Sequence, residues 1–196
     1  GGRVHVGLVN FASGPMGQQP AVGLSRSMAE LGIVMQRLKT GTTPRLYRDS
    51  IDWSHIELQE GDPHPVGFDF WDEKKIRREI SCGMIRTNAR THRIIKDNLD
   101  RSPIVHGEIT GVGPRYCPSI EDKVRRFADK DRHQLFLEPE GLSSPEWYVQ
   151  GMSSSLPENV QWAMYRTVRG LERCVLTRLA YAIEYDCIDP TELRLT

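Results

Sequence analysis

The sequence has little cysteine, no net charge and no long apolar run, and each of these features argues against a class of protein. Its four cysteines (Cys82, Cys117, Cys174 and Cys187) form no C-x-x-C pair, which argues against a zinc knuckle and gives no sign of a disulfide framework. The 26 basic side chains balance 26 acidic ones, so any contact with RNA must be made by a local patch. No apolar stretch reaches the roughly 18 residues of a membrane span, so no membrane partner is expected.

The start of the sequence lacks an initiator methionine and a signal peptide. Gly1-Gly2-Arg3 leads directly into Val4, Val6 and Leu8, whose alternation predicts a strand. We therefore expect a segment of a longer polypeptide that is soluble and cytoplasmic, with reduced thiols. Its 196 residues are enough for one sizeable domain with a core.

The usual nucleotide-binding fingerprints and metal-ligand spacings are also missing. Gly111-Val112-Gly113 is followed at once by Pro114 and by no third glycine, so it is not a dinucleotide fingerprint. The polar stretch Lys39 to Arg45 lacks the spacing of a P-loop, and its local chemistry favours a solvated loop, with an anion-binding loop as the alternative. No metal site is expected, because three of the histidines lack the spacing of metal ligands (His55, His64 and His92).

The spacing of apolar residues predicts an α/β fold with a mixed β-sheet and flanking helices. Helices are expected near residues 21–31, 88–99, 119–129 and 157–171, and strands near 1–10, 33–35, 134–137 and 179–185. In the last strand, four larger side chains (Leu179, Tyr181, Ile183 and Tyr185) alternate with three others (Ala180, Ala182 and Glu184). Strand order is not predicted from these patterns.

The most informative run in the sequence is Gly113 to Lys123, which places Cys117 between two prolines and next to Arg115. Ser119 is a favourable N-cap, so Cys117 is expected just before the N-terminus of a helix. The helix dipole and the guanidinium of Arg115 would both favour the thiolate, the reactive form of cysteine. A reactive thiol and a buried structural cysteine both remain open.

The helix after Ser119 has two predicted faces. Three apolar residues at helical spacing are expected to be buried (Ile120, Val124 and Phe127). Three cations are expected in solvent (Lys123, Arg125 and Arg126). A separate thiol enzyme that uses Cys117 with His106 or His133 as its base is a further alternative, which requires a proximity that the sequence does not reveal.

Four segments together resemble the glucose-inhibited division protein A family, also called MnmG. They are Lys39 to Arg45, Gly113 to Lys123, Leu137 to Gly141 and Tyr181 to Asp186. They occur in the order of the family, and the match runs through nearly the whole chain. The sequence is therefore identified as a member of this family, and as its central segment only.

The resemblance implies a part of a flavin-dependent enzyme that modifies tRNA. With a GTPase partner, MnmE, the family installs an aminomethyl or carboxymethylaminomethyl group at carbon 5 of wobble uridine 34. It uses FAD, NADH and methylene-tetrahydrofolate as the one-carbon donor, and it acts as a homodimer. The isolated segment is expected to be inactive, and the alternative is a binding or dimerisation module without activity of its own.

The resemblance also implies where this segment belongs in the enzyme. Residues 1–196 would be the nicotinamide-binding domain that is inserted into a Rossmann-like FAD domain. The terminal strands, at about 1–10 and 178–196, would belong to the flavin domain. FAD would be held mostly outside this segment, because the glycine fingerprint that binds it is missing here.

Individual residues carry over from the family by position. The nicotinamide-binding stretch corresponds to Gly113, Pro114, Arg115, Tyr116, Cys117, Pro118, Ser119, Ile120, Glu121, Asp122, Lys123, Val124, Arg125, Arg126 and Phe127. Cys117 matches the functional cysteine, whose thiolate would add to carbon 6 of uracil. The family's K-T-G-T-P-P-R loop is matched by Lys39, Thr40, Gly41 and Arg45, which implies that these residues face a ligand.

Three departures from the family pattern accompany these matches. Thr43 replaces a proline of the loop, Tyr148-Val149-Gln150-Gly151 stands for Y-P-N-G, and Cys82-Gly83-Met84-Ile85 stands for C-Y-I-T. The first two remove prolines that would restrict the backbone. We therefore expect less rigid turns at these positions, whereas the Cys117 run is unaffected.

Overall fold

The structure, a computed structural model, describes residues 1–64, 80–114 and 118–193. Its strands are β1 (Arg3–Val6), β2 (Val9–Ala12), β3 (Met35–Thr42), β4 (Arg45–Tyr47), β5 (Glu57–Gln59), β6 (Cys82–Arg86), β7 (Gln134–Pro139), β8 (Glu146–Gln150), β9 (Leu176–Arg178) and β10 (Tyr181–Ile188). Its α-helices are α1 (Val22–Glu30), α2 (Ala89–Lys96), α3 (Pro103–His106), α4 (Ile120–Arg126) and α5 (Glu158–Tyr165).

The strands form two sheets, and the expected α/β class with flanking helices is confirmed. The smaller sheet has the order β2-β1-β10-β3, and the larger one has the order β5-β6-β7-β8-β4-β9. Every paired strand in the described residues runs antiparallel to its neighbour. A single parallel bridge joins Leu38 to Val112. The separation into two sheets was not predicted from the apolar spacing.

The hydrophobic core lies between the larger sheet and three helices. Strands β7 and β8 alternate, so that Leu135, Leu137, Trp147 and Val149 point into this core. Helices α2, α4 and α5 cover that face with buried apolar side chains, among them Ile95, Ile120, Val124, Val160 and Met164. The smaller sheet contributes no residue to this hydrophobic cluster. Its inner face therefore lies outside the hydrophobic core.

Helix α2 confirms the prediction for residues 88–99. The side chain of Asn88 accepts hydrogen bonds from the backbone amides of Arg90 and Thr91, and Thr91 completes a capping box. Ile95 is fully buried, whereas Ile94 and Leu99 are partly buried against the core. The local sequence signal is therefore sufficient for this element.

Helix α5 confirms the predicted apolar stripe, although the helix is shorter than expected. It ends at Tyr165, yet Val168 and Leu171 continue the buried stripe in the turns that follow. Pro157 precedes the first helical residue and acts as the N-cap. The apolar periodicity of the sequence extends to residue 171 because these side chains are buried, although the helix itself ends at Tyr165.

Helix α1 forms where the sequence predicts it but contains no buried residue. Gly32 follows it with a positive φ of 82°, as expected for a glycine that terminates a helix. Leu24 and Leu31 are exposed. The helical spacing of its apolar residues is therefore real, but the described residues do not cover that face.

The prediction of a solvated loop over residues 39–45 is wrong. Residues Lys39 to Thr42 are the end of β3 and pair with β10, while Arg45 begins β4. Thr43 is buried between the two strands. The sequence signal was misleading because pairing with β10 satisfies the backbone of this stretch, although its side chains lack apolar alternation.

Helix α4 confirms the predicted element but corrects two of its side chains. Ser119 caps the helix and accepts a hydrogen bond from the amide of Asp122. Phe127 was expected in the core but is 50% exposed, because the helix ends at Arg126 and Phe127 leaves the helical path. Lys123 was expected in solvent, but it is half-buried and donates to the carbonyl oxygen of Gly151 at 3.1 Å.

Candidate functional site

The inner face of the smaller sheet carries a buried layer of ionisable residues. His5 on β1, Lys39 on β3 and Glu184 on β10 are 1%, 5% and 4% exposed. Lys39 and Glu184 are direct cross-strand partners, and His5 lies opposite Ala182. Burying ionisable groups is unfavourable unless they are paired or functional. This layer is therefore the primary candidate site in the described residues.

Glu184 is the most highly bonded member of this layer. One carboxylate oxygen accepts hydrogen bonds from the backbone amides of Thr110 and Gly111, at 3.2 and 2.9 Å. The other lies 2.9 Å from Nε2 of His5. Burial opposes ionisation of Glu184, but the bonds from Gly111 and His5 outweigh it and lower its pKa below the ordinary value. Glu184 is therefore a carboxylate at neutral pH.

The segment that leads to the Cys117 run is joined to the edge of β3. The amide of Val112 donates to the carbonyl oxygen of Arg37, and the amide of Lys39 donates to the carbonyl oxygen of Val112. Gly111 approaches the strand closely, since a Cβ there would lie 3.1 Å from the backbone of Leu38. A side chain at this position would require the backbone of β3 to shift by a few tenths of an ångström. The backbone before Pro114 is thus held on two sides.

A small cavity between the smaller sheet and the N-terminus of α4 brings together the two stretches that the family resemblance selected. Lys39 and Gly41 from β3 line it with Ser119, the N-cap of α4. Ser153, Ser154 and Ser155 contribute to its wall. A Cβ on Gly113 would lie 4.0 Å from the carbonyl oxygen of Lys39. The described residues on both sides of residues 115–117 therefore meet at Lys39.

The serine stretch connects helix α4 to the smaller sheet. The amide of Ile120 donates to the carbonyl oxygen of Ser153, and the amide of Gly7 donates to that of Ser155. Glu121 is 2% exposed and accepts from the amide and the hydroxyl of Ser155, at 2.8 and 2.9 Å. Burial raises the pKa of Glu121. These bonds fix the start of α4 relative to the layer.

The residues predicted to bind nicotinamide fall into four groups. Arg115, Tyr116 and Cys117 lie outside the described residues. Three side chains point into the protein (Ile120, Glu121 and Val124), and three are exposed (Arg125, Arg126 and Phe127). The remaining six differ among themselves: Gly113 and Pro114 are exposed, Pro118, Asp122 and Lys123 are half-buried, and Ser119 is buried. Ile120, Glu121 and Val124 therefore support the site from behind, whereas Ser119 lines the cavity.

The four residues of the predicted ligand loop do not share one environment. Lys39 and Gly41 line the cavity between the smaller sheet and α4, whereas Thr40 lines a groove on the opposite side of β3. Arg45 is bound within the protein: it donates to Glu140, to the hydroxyl of Thr42 and to the carbonyl oxygen of Thr43. Its guanidinium also lies over the ring of Tyr148, 4.6 Å from the ring centre.

Two departures from the family pattern contact each other. The hydroxyl of Thr43 donates to the carbonyl oxygen of Val149, and both residues are buried. A proline at position 43 could not make this bond, because it lacks the hydroxyl. The hydrogen bond joins the connection between β3 and β4 to β8, at the place where less rigid turns were expected.

The histidines proposed as alternative bases occupy different settings. His106 is exposed and lies 3.7 Å from Glu108. His133 stacks against His92, with ring centres 5.1 Å apart. Burial, and then the charge of Lys123, lower the pKa of His133. Because Cys117 lies outside the described residues, its proximity to either histidine stays a prediction.

Sequence reasoning missed His5 and Glu184 as members of the site. One signal was available for Glu184, because strand alternation places it on the same face as Ala180 and Ala182. A charged residue on a face of small apolar ones is unusual in a buried strand. Nothing local marks His5, since its role depends on pairing with the other end of the chain.

Neither a metal-binding cluster nor a membrane-spanning helix is found within residues 1–64, 80–114 and 118–193. In those ranges no three His, Cys, Asp or Glu side chains are grouped to hold a metal ion. No helix there combines the length and the apolar character needed to cross a membrane.

Comparison with known proteins gives consistent matches over the whole chain. The family model described as "Glucose inhibited division protein A" matches residues 1–196. A relative from Alkaliphilus metalliredigens, named tRNA uridine 5-carboxymethylaminomethyl modification enzyme MnmG, is 53% identical over 100% of this chain. The protein of that name from Geobacter metallireducens is 53% identical over 98% of it. The chain spans 31% of the length of each.

Two solved structures of GidA from Aquifex aeolicus resemble the fold. The form I crystal gives a TM-score of 0.89 at 47% identity, covering 98% of this chain and 33% of that one. The form II crystal gives 0.87 at 44% identity, covering 98% of this chain and 31% of that one. The two-sheet arrangement described above is therefore similar to that of these proteins.

Proposed function

Because the chain belongs to the glucose inhibited division protein A family, we propose that it is the central segment of a flavin-dependent enzyme that modifies wobble uridine 34 of tRNA. The relatives named for that modification match the whole chain but are about three times longer. The observation that supports the proposal beyond the names is the buried layer of His5, Lys39 and Glu184, which contacts the chain at residues 110–113, shortly before Cys117 in the sequence.

In this proposal Cys117 is the nucleophile. Its thiolate adds to carbon 6 of the uracil ring, the ring's double-bond electrons move toward the carbonyl oxygen at carbon 4, and carbon 5 becomes nucleophilic. The chain contributes the placement of the segment, since Gly113 and Ser119 are both held near Lys39. Once carbon 5 has formed a bond to the one-carbon unit, loss of its proton and departure of the thiolate from carbon 6 restore the ring's double bond.

Residues 113–127 and Lys39 form the proposed nicotinamide site. The fit is chemical: Lys39 is a buried cation without a carboxylate partner among the described residues, and four serines line the same cavity. The cavity has a volume of only about 10 Å³, room for one water molecule, so an anionic group of a dinucleotide could reach Lys39 only if these side chains moved apart. Gly41 belongs to the lining of the same cavity. We assign to Thr40 and Arg45 a structural role in β3 and β4.

The rest of the reaction depends on parts outside this chain. FAD, held mostly by the flavin domain, would transfer the one-carbon unit of methylene-tetrahydrofolate with NADH as the reductant. The terminal strands β1 and β10, which pair with each other, are assigned to that flavin domain. A GTPase partner, MnmE, a homodimer and a cytoplasmic location complete the proposal.

The decisive experiment replaces Cys117 by serine in the full-length protein that contains this chain. We expect tRNA uridine modification to be abolished while FAD remains bound, because serine keeps the size of the side chain but is a far weaker nucleophile. Cys82→Ser is the matched control: burial raises the pKa of that thiol, so its loss should leave activity unchanged. Full activity in Cys117→Ser would remove the proposed role.

A second candidate is a binding or dimerisation module without chemistry of its own. It is favoured by the absence of a Rossmann fingerprint from these 196 residues. A colourless protein that still binds NADH in a calorimetric titration would support the module. A purified chain that retains yellow flavin would argue against it.

A further inference from the structure

Glu184 and the backbone that precedes the Cys117 run form a contact that no motif assigns. The carboxylate belongs to β10, whereas the amides that it binds belong to Thr110 and Gly111, which follow α3. These amides would otherwise lack an acceptor in a region where the chain closely approaches β3. The contact therefore defines where the chain passes before it reaches Pro114.

The second carboxylate oxygen is also fixed. Nε2 of His5 lies 2.9 Å from it, and Nδ1 of His5 is buried without a partner in the described residues. Nε2 of His5 is therefore placed to donate a hydrogen bond to Glu184. His5 thus orients the carboxylate toward the two amides, and β1, β10 and the 110–113 segment are coupled.

The neighbouring carboxylate on the same strand has a different role. Asp186 is half-buried and pairs with the guanidinium of Arg37 on β3 at 2.5 Å. Among the described residues it has no hydrogen bond or ion pair to residues 110–113. The two acidic residues therefore provide a natural comparison, because only Glu184 binds the segment that leads to Cys117.

We propose that Glu184 is a positioning residue of the tRNA-modifying reaction. By accepting hydrogen bonds from the amides of Thr110 and Gly111, it fixes the course of residues 110–114, from which the chain continues to Cys117. The inference rests on the proposed function, since it assumes that the reacting thiol is Cys117. It goes beyond that function because it assigns a role to a buried carboxylate outside residues 113–127. Glu184 acts through the backbone and does not touch the substrate.

The test uses the full-length protein with Glu184→Ala, Glu184→Gln and Asp186→Asn. Hydrogen exchange of the peptide that spans residues 108–114 reports the contact directly. In Glu184→Ala we expect the amides of Thr110 and Gly111 to exchange about tenfold faster, the effect of one lost charge-assisted hydrogen bond. Glu184→Gln keeps an acceptor oxygen and should give an intermediate rate. Asp186→Asn should exchange as the wild type does.

The kinetic result separates positioning from a merely structural role. The kcat for tRNA modification should fall about tenfold in Glu184→Ala and be partly rescued in Glu184→Gln, with KM for tRNA and FAD content unchanged. Unchanged exchange, or faster exchange with unchanged kcat, would overturn the inference. If Glu184→Ala does not fold, the same two criteria are applied to Glu184→Gln. An inactive wild type would instead refute the proposed function, and the inference with it.

Discussion

Lys39 and Ser119 line the same small cavity, although they belong to distant parts of the sequence. Lys39 is on the inner face of β3, and Ser119 caps α4. The segment that contains Cys117 lies between Gly113 and Ser119, which are both held near Lys39. A single buried cation therefore stands at both ends of the proposed nucleophile segment.

The first prediction concerns this cation. In the full-length protein, Lys39→Met should weaken NADH binding about tenfold, because the substitution removes one charge-assisted contact with an anionic group and keeps the aliphatic stem. Calorimetric titration of NADH measures the change. Lys96→Met, which removes an exposed cation of α2, is the control and should bind as the wild type does. Equal affinity in Lys39→Met would place the nicotinamide site elsewhere.

The second prediction concerns the buried carboxyl of Glu121. Burial raises its pKa above the ordinary 4.5, so the folded state holds a proton that the unfolded state has already lost. The contribution of Glu121 to the free energy of unfolding therefore falls as pH rises from 4.5 through the folded pKa. In Glu121→Gln this titration is absent, and stability should decline less over that range.

Urea unfolding of the chain at a series of pH values tests this prediction. The difference between the wild-type and Glu121→Gln curves isolates Glu121 from the histidines, whose titration is common to both proteins. Glu60→Gln, at an exposed position, should give a curve parallel to that of the wild type. If Glu121→Gln also ran parallel to the wild type, its carboxyl would not titrate as described.

Local elements of this fold could be predicted from the sequence. Asn88 and Ser119 are caps that act within three residues of themselves, and the apolar spacing after each specifies which face is buried. Helices α2 and α4 were therefore found with nearly correct ends. Phe127 was misplaced because spacing alone does not reveal where a helix ends.

The candidate site itself could not be predicted in the same way. His5, Lys39 and Glu184 become neighbours only through the pairing of β1 and β3 with β10, which joins the two ends of the chain. No pattern within a window of residues encodes that register. The family resemblance pointed to Lys39 and to the Cys117 run separately. Only the fold brings Lys39 close to Gly113 and Ser119, two described residues of that run.

The third prediction concerns Gly7, which joins β1 to β2. It has a φ of 56°, and a Cβ there would lie 2.6 Å from the ring of Pro157. Gly17 has a φ of 77° but open space around it. Gly17→Ala should therefore cost about 1 kcal/mol, for backbone strain alone. Gly7→Ala should cost roughly 2 kcal/mol more, because Pro157 must also move.

Thermal unfolding of the two glycine variants measures this difference. Because both residues have a positive φ, the comparison separates steric contact from backbone conformation. Equal destabilisation would mean that the contact between the β1–β2 turn and Pro157 does not constrain the protein.

The last prediction concerns Arg45, which the family resemblance places in a ligand loop but which the structure engages within the protein. Arg45→Ala should lower the free energy of unfolding by about 2 kcal/mol, since it removes the bonds to Glu140, Thr42 and Thr43 from a largely buried side chain. Arg178→Ala, which breaks a more exposed pair with Glu146, should cost about 1 kcal/mol or less. Urea unfolding measures both values, and NADH titration of the same variants should give wild-type affinity. Weaker NADH binding in Arg45→Ala without loss of stability would place Arg45 in the ligand site. A residue that only joins β4 to its neighbours cannot change the affinity for NADH while the fold stays equally stable.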